Sequence, residues 1–212
     1  MKKVICVLFI FLLLTSCSKE TEVTQQLTDL LVVLNEKEKQ GNNFGKKLHE
    51  KEQNEQVLFI ETMELTQQQY QEVKQQVVAM KKSAHERAQL LEKEESALHE
   101  SKKAIDRMSE WVERMELHDS LDEVVGALYE RSEIQETFIM QYKKLIDSQT
   151  QLYTQIEDPS IREHELQKHV RDVNDLITSS QQSLIEFNEA TREVNRLVAR
   201  ALKSLENNKK EI

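Results

Sequence analysis

Two cysteines, Cys6 and Cys17, and six histidines are the side chains of this chain best suited to chemistry. Cys17 closes the run Leu14-Thr15-Ser16-Cys17, behind Lys2, Lys3 and an apolar stretch from Val4 to Leu14. A thiol just past such a stretch, with small residues before it and Ser18-Lys19-Glu20 after it, fits a bacterial lipobox. There a diacylglyceryl group is attached to the thiol and the chain is cut between Ser16 and Cys17. The stretch is about eleven residues, ~16 Å as a helix, against a bilayer core of ~30 Å. It therefore reads as a cleaved signal rather than a span. Cys6 lies inside it and leaves with it, so the mature chain has no thiol for a disulfide, redox couple or thiolate metal site. At ~0.8 kcal/mol per buried CH₂, anchoring becomes stable with two acyl chains. A lipidated Cys17 would hold the chain on the outer face of the cell membrane.

The histidines do not assemble a known metal motif. His164-Glu165 is followed by His169, five residues on, which turns the second ring ~140° from the first on a helix. Both read as solvated surface histidines. A di-iron carboxylate bundle needs Glu three residues before His. Here Lys46, Lys82, Ser96, Met115, Ile161 and Leu166 occupy those places. No glycine-rich phosphate loop and no Ser/His/Asp grouping stands out. No catalytic, metal or cofactor-binding residue is assigned, and the chain is expected not to be an enzyme. The run Gln67-Gln68-Gln69-Tyr70-Gln71, with Gln75 and Gln76, reads as an uncharged solvated face. Arg87 and Glu94 fall on an apolar seam, as register-setting polar residues or as the mark of a partner groove. Trp111 is expected to pack on a neighbouring helix.

Composition bounds the elements that carry these residues. Three glycines and one proline in 212 residues leave too few turn residues for hairpins, so the chain is all-α. Against 38 acidic side chains there are 29 basic ones; removing Lys2 and Lys3 with the signal leaves 27, a net −11. That charge argues against nucleic acid, and against simple electrostatic adhesion to anionic lipid or wall polymer.

Periodicity then divides the chain. A first helix, roughly 20–40, carries Val23, Leu27, Leu30 and Leu34, and stops at Gln40-Gly41-Asn42-Asn43. A second tract, 44–117, slips register near Glu52 and then keeps heptads. They run Phe59, Met63, Thr66, Tyr70, Val73, Val77, Met80, Ala84, Arg87, Leu91, Glu94, Leu98, Ser101, Ile105, Met108, Val112, Met115, which predicts left-handed supercoiling. Ser120-Leu121-Asp122-Glu123 has capping-box spacing and marks a boundary. The third helix, 121–157, has two apolar stripes. One is Leu121, Val124, Leu128, Phe138, Tyr142, Leu145, Leu152 and Ile156; the other is Val125, Ile139, Ile146 and Tyr153. That width suits a bundle of three or more helices. Asp158-Pro159 supplies an N-cap and first helical residue for the fourth helix. Its seam is Leu166, Val170, Val173, Ile177, Ser180, Leu184, Phe187, Thr191, Val194, Val198, Ala201 and Leu205.

Short loops make neighbours antiparallel. The expectation is an elongated up-and-down helical bundle of three to four long antiparallel helices with coiled-coil packing. Its parts are a signal (1–16), a lipidated tether (17–22), a helical domain (23–206) and a frayed tail (207–212). A straight second tract would reach ~110 Å against ~30 Å for the first helix. The bundle must lie along the membrane, swing on its tether, or break in the second tract, with Lys81-Lys82-Ser83-Ala84 the weakest place. In the preferred layout the first helix covers the N-terminal part of that tract, and the last two pack on its C-terminal part.

The lipobox followed by some 190 residues of acidic, cysteine-free, heptad-patterned helix resembles the YkyA-like family of cell-wall-binding lipoproteins of Gram-positive bacteria. The resemblance covers essentially the whole chain and implies a helical bundle outside the membrane, without catalytic residues. The expected partners are the membrane, through the lipid, and peptidoglycan or an envelope protein. An alternative is an envelope chaperone or carrier holding a peptide or lipid between helices. A dimeric coiled coil is the alternative architecture.

Overall fold

The computed structural model describes Asp29, Val32 and Glu36 together with residues 44–65, 67–114 and 119–208. All of the long elements are helical. We number them α1 (44–64), α2 (Tyr70–Arg114), α3 (Asp119–Ile156) and α4 (Glu163–Asn208), with a short 3-10 turn at Gln67–Gln69 before α2. Asp29, Val32 and Glu36 are also helical and exposed, consistent with the expected first helix. The signal, Ser16 and Cys17, the Gln40–Asn43 turn cluster, Thr66, Met115 and the side chain of Leu205 lie outside the described residues.

The chain runs up and down. Lys81 on α2 pairs with Glu157 just beyond α3, and Tyr129 on α3 donates to Asp106 on α2, so these two helices are antiparallel along their length. Ser183 donates to Gln141 and Arg200 pairs with Glu123, which sets α4 antiparallel to α3. Thr62 donates to Gln76 at 2.5 Å and Lys51 pairs with Glu86, which folds α1 back on α2.

The second tract is therefore two helices rather than one. It breaks at Leu65–Gln69, not at Lys81–Ala84, where α2 continues and Ala84 is fully buried. The buried stripe of α1 is Leu48, Glu55 and Thr62, seven residues apart, which needs no slip near Glu52. Met63, assigned to the seam by sequence, is exposed. A stripe containing a glutamate and a threonine is invisible to a pattern of apolar residues; partners elsewhere in the fold make their burial tolerable. From Val77 to Val112, by contrast, the apolar heptad positions are the buried ones. α3 runs along α2, the C-terminal part of the expected second tract, as that layout has it, and α4 packs on α3.

Two apolar clusters result. The lower one joins α2 (Ile105, Met108, Val112), α3 (Leu121, Val124, Leu128) and α4 (Val194, Leu197, Ala201), with Trp111 packed against it. The upper one joins all four helices through Leu48, Met80, Leu91, Tyr142, Leu145, Tyr153 and Val173. At the top, Asp158 Oδ1 accepts from the backbone N–H and hydroxyl of Ser160, closing a turn. Those bonds hold the Asp158 carboxyl below its ordinary value. α4 starts four residues beyond Pro159, at Glu163, so the Asp158-Pro159 pair shapes the turn instead of capping the helix.

Candidate functional site

Two adjoining features sit inside the four-helix part. The first is a polar network centred on Arg87, whose side chain is wholly buried. Its guanidinium donates to Glu55 at 2.6 Å, to Gln149 at 2.7 Å and to the Tyr142 hydroxyl at 3.2 Å. Tyr153 donates to the same Glu55 oxygen and Tyr142 donates to Glu52, both at 2.5 Å. Burial works against the Arg87 charge, but Tyr142 and Glu55 outweigh it and hold its pKa above the ordinary value. Burial pushes both tyrosine hydroxyls well up, so they serve as hydrogen-bond groups and not as acids. Arg87 is thus a register-setting residue: it fixes α1, α2 and α3 at one height. Arg87 Nε and Glu55 Oε2 have no partner.

The second feature is a cavity of about 560 Å³ directly below, between the two apolar clusters. That is within the ~300–1,000 Å³ typical of small-molecule sites. Its apolar wall comes from every helix: Phe44 and Leu48, Leu91 and Leu98, Phe138 and Leu145, Ile177 and Phe187. Polar side chains from every helix line it as well, among them His49, Glu52, Glu94, Arg131, Gln135 and Ser180. Glu94 Oε1 accepts from Gln135 at 2.6 Å, while Glu94 Oε2 and Ser180 Oγ have no partner. Burial raises the pKa of Glu94, against the Gln135 hydrogen bond and the Arg131 charge. Arg131 donates to Thr191 at 2.8 Å and lies 4.6 Å from the Phe187 ring centre. Leu184, which the seam places inside, is 43% exposed and stands at the cavity mouth.

The remaining sequence features fall into place around these two. Arg87 is absorbed in the network and Glu94 faces the cavity. The glutamine run spans the Gln67–Gln69 turn and the start of α2, and Gln76, one turn further into α2, accepts from Thr62. His164 is exposed, but His169 is half-buried, with Nδ1 2.9 Å from Gln155 Oε1 and Nε2 3.3 Å from the Ser148 hydroxyl. It belongs to the α3–α4 contact rather than to a solvated surface. Among the described residues no group of three or more His, Cys, Asp or Glu could hold a metal ion. No described helix is long and apolar enough to cross a membrane. The cavity itself escaped the sequence reading, yet it left a trace. The short or polar seam members Glu94, Ser101, Ser180 and Thr191 all line it.

No curated protein matches the chain. A solved structure does: the 1.6 Å crystal structure of a conserved protein of unknown function from Staphylococcus aureus, with a TM-score of 0.67 and 16% identity, over 82% of this chain and 88% of that one. At that identity the likeness shows the helical fold alone. The family model for YkyA, described as "Putative cell-wall binding lipoprotein", matches residues 21–204. With nearly the whole of its length so matched, the chain belongs to the YkyA family.

Proposed function

We propose that this protein is a non-catalytic binding module tethered outside the cell membrane by a diacylglyceryl group on Cys17, with the cell wall as its partner. The observation that carries the reading is the family match over residues 21–204, which starts four residues after Cys17. The lipobox Leu14–Cys17 accounts for the lipoprotein half of the family description. The interior supports a binding rather than a chemical role. Its buried titratable groups are engaged in Arg87–Glu55–Tyr153 and Glu94–Gln135 contacts.

Two measurements test it. Cys17→Ala should move the protein from the membrane fraction to the soluble or secreted fraction and abolish acyl labelling; unchanged retention with labelling defeats the anchor. The mature chain, from Cys17 onward, should co-sediment with purified peptidoglycan more than a helical control of equal charge does. Equal sedimentation over a range of salt and pH leaves a protein partner instead of the wall.

A further inference from the structure

Along the whole rod α3 packs closely on both α2 and α4, and no Cα of α2 comes within 8 Å of α4 among the described residues. The two outer helices therefore leave a groove over α3. In the upper section α1 fills it. It pairs with α2 through Lys51–Glu86 and Glu55–Arg87, and its Phe44 and Leu48 share a wall with Ile177 and Phe187 of α4. Carried seven residues on, the antiparallel Lys51–Glu86 register sets Phe44 about level with Lys93. Below that level α2 continues for roughly 20 residues, ~30 Å, to Arg114. No described helix covers the groove there. Something nevertheless shields its α2 flank. Lys102 and Asp106 pair with Glu136 and Tyr129, which turns that face of α2 toward α3. Ala104 lies two residues from each, so it points ~160° away from α3. It is still only 2% exposed. Trp111, one heptad further along the same stripe, is half-buried.

We propose that residues 23–40 are the fourth helix of the lower section, lying in the groove between α2 and α4 in line with α1. Val23, Leu27, Leu30 and Leu34 fall on one helical stripe. Asp29, Val32 and Glu36, the described residues of this segment, are helical and exposed, Val32 by 50%. Leu30 and Leu34 stand two residues to either side of Val32, hence on the opposite face, toward the protein. About 18 residues of helix span ~27 Å, which matches the uncovered length. Joined to α1, the column would run from 23 to 64, about as long as the 45, 38 and 46 residues of the other three helices. A reversal at Gly41–Asn43 would instead lay the segment on the outer face of α1. Val57 and Ile60 on that face are 54% and 51% exposed, so nothing covers it. The segment thus packs on the C-terminal part of the expected second tract and not on its N-terminal part. Its register sets Val23 about level with Arg114, which brings Cys17 to the pole of the α2–α3 connection. The Gln67–Gln69 and Asp158–Ser160 turns occupy the opposite pole, ~70 Å away. With the tether proposed above, that pole faces away from the membrane and meets the wall first. The outward direction rests on the tether; the packing does not, so the two readings fail separately.

The test uses the chain from residue 17 onward carrying Cys17→Ser, which removes its one native thiol and any lipid. Spin labels go on Val32→Cys paired with either Arg107→Cys or Glu61→Cys, all exposed positions. Double electron–electron resonance, with labelled chain diluted about tenfold in unlabelled chain, reads separations within one molecule. A Val32–Arg107 separation below about 30 Å and a Val32–Glu61 separation of about 45 Å are expected. The reverse order, which a return over α1 would produce, overturns the proposal. A broad distribution without a maximum means that the segment does not dock, and overturns it too. So does a short Val32–Arg107 separation that vanishes on dilution, since a second copy then fills the groove. Leu27→Ala and Leu34→Ala should each lower the melting temperature by at least about 5 °C, as buried leucines do. An unchanged melting temperature in both overturns the docking independently of the labels.

Discussion

Arg87 keeps its charge away from water because two other helices bring it partners. Glu55 from α1, and Tyr142 and Gln149 from α3, replace its hydration shell. A buried pair of this kind adds little over a well-packed apolar pair, but losing one member strands the other. Glu55→Ala should therefore cost about 3–5 kcal/mol, measured by urea unfolding. A loss below about 1 kcal/mol would show that water reaches Arg87. Glu94 behaves in the opposite sense. Burial raises its pKa, so the folded chain holds that proton more tightly than the unfolded chain does. Stability from this residue is then greatest at acid pH and falls as pH rises from the ordinary carboxylate value of 4.5 through the folded-state value. Glu94→Gln keeps an oxygen for Gln135 and removes the charge. It should melt higher than the parent at pH 7, with the gap closing toward pH 4.5. A gap of constant size across that range would exclude Glu94 as its source.

At the scale of elements, heptads were legible wherever the buried stripe is apolar. Leu121, Val124 and Leu128 on one stripe of α3, with Ile139 and Ile146 on the other, are buried as their spacing predicts. The reading failed where burial is polar. Glu55 and Thr62 are core residues of α1 only because Arg87 and Gln76 receive them, 32 and 14 residues away in the chain. No local pattern contains that information. The end of α1 was missed for a related reason: heptads drawn through Met63 and Thr66 join smoothly to Tyr70, and no glycine or proline interrupts them. The cavity was illegible as a space, since it depends on how Glu94 and Ser101 of α2 align with Ser180 and Thr191 of α4. Helix propensity still acts where tertiary contacts do not. Gly126 is exposed inside α3, and a Cβ there would meet nothing within 4 Å. Gly126→Ala should stabilise the protein by about 0.5–1 kcal/mol in reversible thermal unfolding. A destabilised variant would mean that α3 needs the flexibility at that turn.

The whole molecule is a four-helix section stacked on a three-helix section among the described residues, with the cavity at the join. Whether the sections unfold separately depends on what crosses that join. α2 and α4 span 45 and 46 residues, close to 70 Å each at 1.5 Å per residue, and both pass it without a break, as does the 38-residue α3. Unfolding one section would leave three helices with half of their apolar stripe exposed, so the transition should be shared. Probes of each section already exist. Trp111, the sole tryptophan, packs on the lower cluster; with Tyr129, which also packs there, replaced by Phe, Tyr142 and Tyr153 report the upper one. Tryptophan fluorescence and tyrosine near-ultraviolet dichroism should give one urea midpoint. Glu55→Ala, a change confined to the upper section, should lower the Trp111 midpoint by the same amount as the tyrosine midpoint. If the Trp111 transition stays where it was while the tyrosine signal moves, the cavity divides the rod into two folding units.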